Sequence, residues 1–170
     1  LPVSPLGAMP NLKRLRLRRS GVADLGGLEG NTSLKWLDLG ETKVTDLKGL
    51  EGLHTLEALS ITHCTSLTDL SALAELPNVV RIVQVRSHWS WFEYPDGAED
   101  ARTDVHPLGY FSLAGSNALT SLEGLRGLTG ITRLRLKECT ALTDLGELQR
   151  MPQLTWLDLE GCTLEDISPV

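Results

Sequence analysis

The sequence predicts an α/β solenoid: about seven short coils stacked side by side. A parallel sheet is expected on the concave face and brief turn or 3₁₀ segments on the convex face. Three observations predict it. Leucine supplies 34 of the 170 residues and the aromatic residues only eight, which suits a stack of similar coils better than an ordinary compact core. An apolar triplet spaced L-x-x-L-x-L recurs at Leu12-Leu15-Leu17, Leu34-Leu37-Leu39, Leu56-Leu59-Ile61, Leu108-Phe111-Leu113, Ile131-Leu134-Leu136 and Leu154-Leu157-Leu159. A degenerate copy stands at Val79-Ile82, with Gln84 in the third position. Successive copies start 22, 22, 23, 29, 23 and 23 residues apart, so one spacing is anomalous and the others agree.

Other columns keep the same phase. Eight residues after each start stand Ser20, Thr42, Cys64, Ser87, Ser116, Cys139 and Cys162. An apolar column follows (Val22, Val44, Leu67, Leu119, Leu142, Leu164), then Asp24, Asp46, Asp69, Asp144 and Asp166, with Ser121 in the fifth copy. Each of these precedes a leucine or isoleucine. The x-L-x-L segment predicts a short strand whose leucines point inward and whose intervening residues point outward. One coil buries too little apolar surface to stand alone, so neighbours must stack. The eighth-position residues fit a hydrogen-bonded ladder between successive loops. Aspartate before Leu-x-x-Leu is expected to cap a short convex segment.

The complete motif, L-x-x-L-x-L-x-x-N/C-x-L, resembles the leucine-rich repeat. Its short period and D-L-x-x-L segment resemble the 22-residue class of internalins and phosphatase regulators. That resemblance implies a horseshoe-shaped recognition module without catalytic activity. The phrases PNLKRLRL, CTALTDLGELQRMPQLTWLDL and DLSALAELPNVV resemble repeats of Gly/Arg-rich bacterial proteins. Through them the chain resembles the C-terminal sensor arrays of NACHT-type signalling ATPases that act in antiviral defence, although no ATPase motif is present.

Residues 1–170 are expected to form a single array. Val3-Ser4-Pro5-Leu6 matches Ile167-Ser168-Pro169-Val170 in pattern and phase, so the array is expected to continue within a longer parent protein. Further repeats or domains of that parent would then be among its partners. The fourth copy carries its extra residues within 88–107, which predicts a loop insertion. That segment holds Trp89, Trp91, Phe92 and Tyr94, half of the chain's aromatics, and five acidic residues against one arginine. The register there is open, since Val80-Val83-Val85 could replace Val79-Ile82-Gln84 as the inward set.

Nothing in the sequence predicts catalysis, a metal or a cofactor. Cys64, Cys139 and Cys162 all fall in the ladder column and are expected to be free thiols, as suits a reducing, cytoplasmic compartment. His54, His63, His88 and His106 have no metal-ligand spacing. No stretch approaches the roughly 18 apolar residues of a membrane span.

The outward columns carry the functional prediction. Trp and Arg are the residues most enriched in binding hot spots. The candidate partner-binding set is Arg14, Arg16, Trp36, Asp38, Tyr110, Arg133, Arg135, Trp156 and Asp158 on the concave face, with Trp89, Trp91, Phe92 and Tyr94 on the loop. The expected ligand is a protein. The basic columns lapse in copies two, three and five, and the net charge is −6, which argues against nucleic acid. Five positive charges in Lys13–Arg19 are expected to form a solvated face or a docking patch for an acidic partner. An internalin-like adhesin, or the substrate-recognition array of an enzyme with its catalytic domain elsewhere, are the alternatives. Leu59 occupies the inward column of a central coil, so Leu59→Ala should cost roughly 2–5 kcal/mol in chemical denaturation. A much smaller loss would remove Leu59 from the core.

Overall fold

The computed structural model describes residues 3–76, 81–82, 110–128 and 130–164. A four-residue helix, α1 (Ser4–Gly7), comes first, with Pro5 in its first turn. Seven short strands follow: β1 (Arg14–Arg16), β2 (Trp36–Asp38), β3 (Ala58–Ser60), β4 (Arg81–Ile82), β5 (Tyr110–Ser112), β6 (Arg133–Arg135) and β7 (Trp156–Asp158). Strands β1 to β4 form one parallel sheet and β5 to β7 another, each in sequence order. On the convex side, 3₁₀ segments span Ser71–Glu75, Leu125–Gly127 and Gly146–Arg150. The middle residues of the strands align as Leu15, Leu37, Leu59 and Ile82, then Phe111, Leu134 and Leu157. Ile82 thus pairs with Leu59 in the leucine register.

These columns make one continuous core. Leu37, Leu59, Phe111 and Leu134 are completely buried, as are Leu39, Ile61, Leu113 and Leu136 two residues on. Leu15 and Leu157 pack only partly, because β1 and β7 each have one neighbouring strand among the described residues.

The turns after β1, β2, β3, β5, β6 and β7 repeat a single backbone solution. Arg19, Glu41, His63 and Glu138 all have φ between 57° and 61°, and Gly115 and Gly161 have φ of 74°. The chain must reverse here, and only a left-handed residue turns it tightly enough. The N–H of all of these but Gly161 then donates to another coil: Arg19 to Gly40 O at 3.0 Å, Glu41 to Thr62 O at 2.9 Å, Gly115 to Lys137 O and Glu138 to Glu160 O, both at 2.8 Å.

His63 breaks the sequence order. Its N–H donates to Ala114 O at 2.8 Å, passing over the fourth copy to the fifth. On the convex side Gly124 (φ 104°) lies against the Leu70 carbonyl, as Gly49 (φ 97°) lies against that of Leu25 between ordinary neighbours. The third and fifth coils are therefore in direct contact at the turn and on the convex face. The fourth copy contributes β4, paired to β3, and its residues 83–107 lie outside the described residues, including the expected loop.

The convex aspartates act differently from helix caps. Asp24, Asp46, Asp69 and Asp144 accept through Oδ1 from the N–H two residues on, at 2.8–3.0 Å, and Ser121 Oγ does the same for Glu123 at 3.1 Å. The cap position of the 3₁₀ segment belongs to the following leucine, so the aspartate forms an Asx turn one residue earlier.

Direct contact between the third and fifth coils has two testable consequences. Joining Asn78 to Leu108 restores a 23-residue spacing, and this shortened protein should still unfold in one cooperative transition. Gly124→Ala meets both a positive φ and the Leu70 carbonyl, and should lower stability by about 1–3 kcal/mol. A shortened chain that fails to fold, together with a neutral Gly124→Ala, would contradict the contact.

Candidate concave interface

The pairing register sets the outward residues side by side. The outer column runs Arg14, Trp36, Ala58 and Arg81, then Tyr110, Arg133 and Trp156. The inner column runs Arg16, Asp38 and Ser60, then Ser112, Arg135 and Asp158. The backbone thus places Arg14, Arg16, Trp36, Asp38, Tyr110, Arg133, Arg135, Trp156 and Asp158 on one face. Trp89, Trp91, Phe92 and Tyr94 lie outside the described residues, and only the backbone of Tyr110 is described.

Exposure within the face is uneven. Trp156 is 43% exposed, and Arg14, Arg16 and Arg133 are also exposed. Trp36 is half-buried, with the Arg16 guanidinium carbon 5.8 Å from the centre of its ring. Asp38 departs from the expected open column, being fully buried. Its Oδ1 accepts from Gly40 N–H at 2.9 Å and its Oδ2 lies 3.6 Å from Arg16 Nε, so Asp38 anchors that arginine from below. The middle of the face is small and buried: Ala58, Ser60, Thr62, Ser112 and Ala114.

Three residues of the basic run in the first coil, Arg16, Arg18 and Arg19, are paired across the stack, while Lys13, Arg14, Arg16 and Arg19 remain exposed. Arg16 meets Asp38, and Arg18 and Arg19 both bind Glu41. Lys35 meets Glu57 at 2.7 Å, Arg135 meets Asp158 at 3.1 Å and Lys137 meets Glu160 at 2.9 Å. Every one of these pairs joins a basic residue to an acidic residue of the next coil. The hydrogen bond from Arg19, more than any other contact, holds the Glu41 carboxyl below its usual range. Gly40 makes room for Arg18, whose Nη1 would collide with a side chain there.

Sequence reasoning missed Asn31. It is buried, and its Nδ2 donates to Leu6 O at 3.2 Å and Met9 O at 3.0 Å. Its Oδ1 accepts from the N–H groups of Ser33 at 2.9 Å and Leu34 at 2.7 Å. One amide ties the α1 turn to the second strand, and only a lone Asn between Gly30 and Thr32 marked it in the sequence.

The thiols follow the ladder. Cys64 Sγ donates to Leu39 O and Cys139 Sγ to Leu113 O, both at 3.2 Å, and Cys162 Sγ to Leu136 O at 3.1 Å. All three are free. Burial pushes the Cys139 thiol up to about 12 and raises those of Cys64 and Cys162.

The fold, the leucine columns and the inter-coil ladder together define a leucine-rich-repeat protein. A family model described as "Leucine Rich repeats (2 copies)" matches residues 32–75, two of the repeats described above. It is 30% identical over 162 residues to a Trypanosoma equiperdum protein named "Putative adenylate cyclase regulatory protein". That match covers 89% of this chain and 24% of the relative, so the chain spans about a quarter of the relative's length. Two Listeria monocytogenes internalins share the fold. Internalin InlF has a TM-score of 0.64 at 24% identity, covering 92% of this chain and 37% of its own. Internalin C2 has a TM-score of 0.52 at 20% identity, covering 96% and 68%.

A raised thiol pKa keeps the reactive thiolate scarce. With a disulfide-exchange reagent at pH 8, half-buried Cys162 should react first, while Cys64 and Cys139 wait for unfolding. The stabilisation from neutral, buried Cys139 is full below the ordinary thiol value of 9.0 and is lost as pH rises towards about 12. Replacing Cys139 by Ala should therefore flatten the alkaline fall in stability. Rapid native labelling of all three thiols would contradict the ladder geometry.

Proposed function

We propose that this array is a non-catalytic recognition module that holds a protein partner on its concave face. The observation that carries this reading is Trp156, 43% exposed on the sheet face and registered against Arg133. Burying the exposed indole against a partner removes apolar surface from water, worth about 25 cal/mol per Å². The ladder and ion pairs fix the face in advance, so little ordering remains to oppose binding. Protein interaction is also what the repeat family and its internalin-like fold support.

A regulatory setting is the narrower form of this proposal. It draws on the designation of the trypanosomal relative, and the sensor of a bacterial antiviral protein draws only on the repeat phrases quoted above. The three free thiols favour a reducing, cytoplasmic compartment.

Affinity capture from lysate of the source organism tests the face, using the intact protein beside Trp36→Ala/Trp156→Ala. A partner retained only by the intact protein is expected, with each tryptophan contributing about 2 kcal/mol or more. Trp156→Ala should leave stability within about 0.5 kcal/mol, as exposed substitutions do. Trp36→Ala should cost more, because Arg16 packs on its ring. Equal capture by both folded proteins would remove the concave face from recognition.

A further inference from the structure

Two patches of the concave face are built to the same plan. Arg14-Leu15-Arg16 lies beside Trp36-Leu37-Asp38, and Arg133-Leu134-Arg135 lies beside Trp156-Leu157-Asp158. The registers correspond residue for residue, the outer arginine opposite tryptophan and the inner arginine opposite aspartate. The internal fastening is also shared. Each aspartate accepts through Oδ1 from the N–H two residues on, Gly40 at 2.9 Å and Glu160 at 3.0 Å. Each turns Oδ2 to the Nε of its arginine, at 3.6 Å for Arg16 and 3.1 Å for Arg135.

The acids therefore lie beneath the bases. The Asp38 side chain is 0% exposed and that of Arg16 is 46%; for Asp158 and Arg135 the values are 17% and 29%. An aspartate bound at Nε orients a guanidinium, whose planar fork suits a second carboxylate. Beside each arginine stands an indole that offers apolar surface. Between the patches, Ala58, Ser60, Thr62, Ser112 and Ala114 are small, neutral and buried, and the backbone register also places Arg81 and Tyr110 there.

We propose that the two patches are duplicate anchors for a single acidic protein segment. Each takes a carboxylate on its inner arginine, Arg16 or Arg135, and an apolar side chain against its tryptophan. This rests on the concave-face reading above and specifies the partner's chemistry. Strand spacing of about 4.8 Å puts the anchors roughly 20–25 Å apart, a span of about seven extended residues. The partner therefore alternates acidic and apolar side chains and is long enough to reach both. Engaging both makes the second contact intramolecular, so affinity gains from the pair together. Nucleic acid fits less well, because Asp158 and Glu160 interrupt any run of phosphate contacts across the second patch.

The test is fluorescence anisotropy with a labelled peptide of alternating Glu and Leu, about twelve residues long so that it can span both patches. A Lys-Leu peptide and a single-stranded oligonucleotide of equal length serve as controls. The Glu-Leu peptide should bind the intact protein best. Arg16→Gln and Arg135→Gln should each weaken it about 10-fold, and the double variant about 100-fold. Circular dichroism checks folding. Should the Gln variants misfold, Arg16→Lys/Arg135→Lys keeps the charge over both aspartates while removing the fork, and should still bind several-fold more weakly.

Preference for either control, equal binding by the intact and double-variant proteins, or a single variant as damaged as the double would overturn the proposal. The lysate partner separates this from the broader reading. If capture depends on the tryptophans and not on Arg16 and Arg135, the concave interface stands and the acidic partner falls. Capture indifferent to all four residues overturns both.

Discussion

The fold depends on a single constraint: the backbone groups of each tight turn can be satisfied only by the neighbouring coil. Left-handed geometry at Arg19, Glu41, His63 and Glu138 carries an intrinsic cost of order 1 kcal/mol or more each. The cost recurs at one position per coil because the N–H it exposes aligns with a carbonyl across the gap, at 2.8–3.0 Å. The same logic governs the ladder, where a thiol donates to the preceding coil's carbonyl. Neither turn nor ladder is complete within one repeat, so stacking is a condition of folding as well as a consequence of leucine burial.

Charge is arranged by the same rule. Basic residues on one coil and acidic residues on the next would make opposed bands along the face if each coil were considered alone. In the stack they become rungs, from Arg16–Asp38 to Lys137–Glu160. Exposed rungs such as Lys35–Glu57 add little stability. Arg16–Asp38 is different, because its acid is fully buried and removal of the arginine would strand a charge. Its value to function is orientation, since the aspartate and the Trp36 ring together restrict where the guanidinium can point.

Much of this was legible in the sequence because a parallel stack converts sequence phase directly into spatial position. Leucine columns, ladder residues and outward columns all followed from counting. What counting cannot give is height. Asp38 and Asp158 share a column, yet only Asp38 is fully buried, because β2 has neighbours on both sides while β7 has one among the described residues. The pairing of the basic run is hidden for a related reason: column phase places Arg16 beside Asp38 but does not say that their side chains meet. Asn31 escaped because its four bonds reach backbone groups with no sequence signature.

The fourth repeat shows how far the stacking rule can bend. No leucine occurs between Leu76 and Leu108, so the segment lacks the residues that would seat a full coil. The structure closes around it, with His63 bonding to Ala114 and Gly124 meeting Leu70 as ordinary neighbours do. Closure is incomplete in its polar accounting. Ser60 Oγ and Ser116 Oγ, on the two coils that meet there, are buried and find no hydrogen-bond partner among the described residues. Thr42, one coil earlier, donates to Leu39 O at 2.6 Å. The seam thus holds two of the buried polar groups that lack a partner among the described residues. It lies between the two Arg–Trp–Asp patches, so its geometry sets the distance between them.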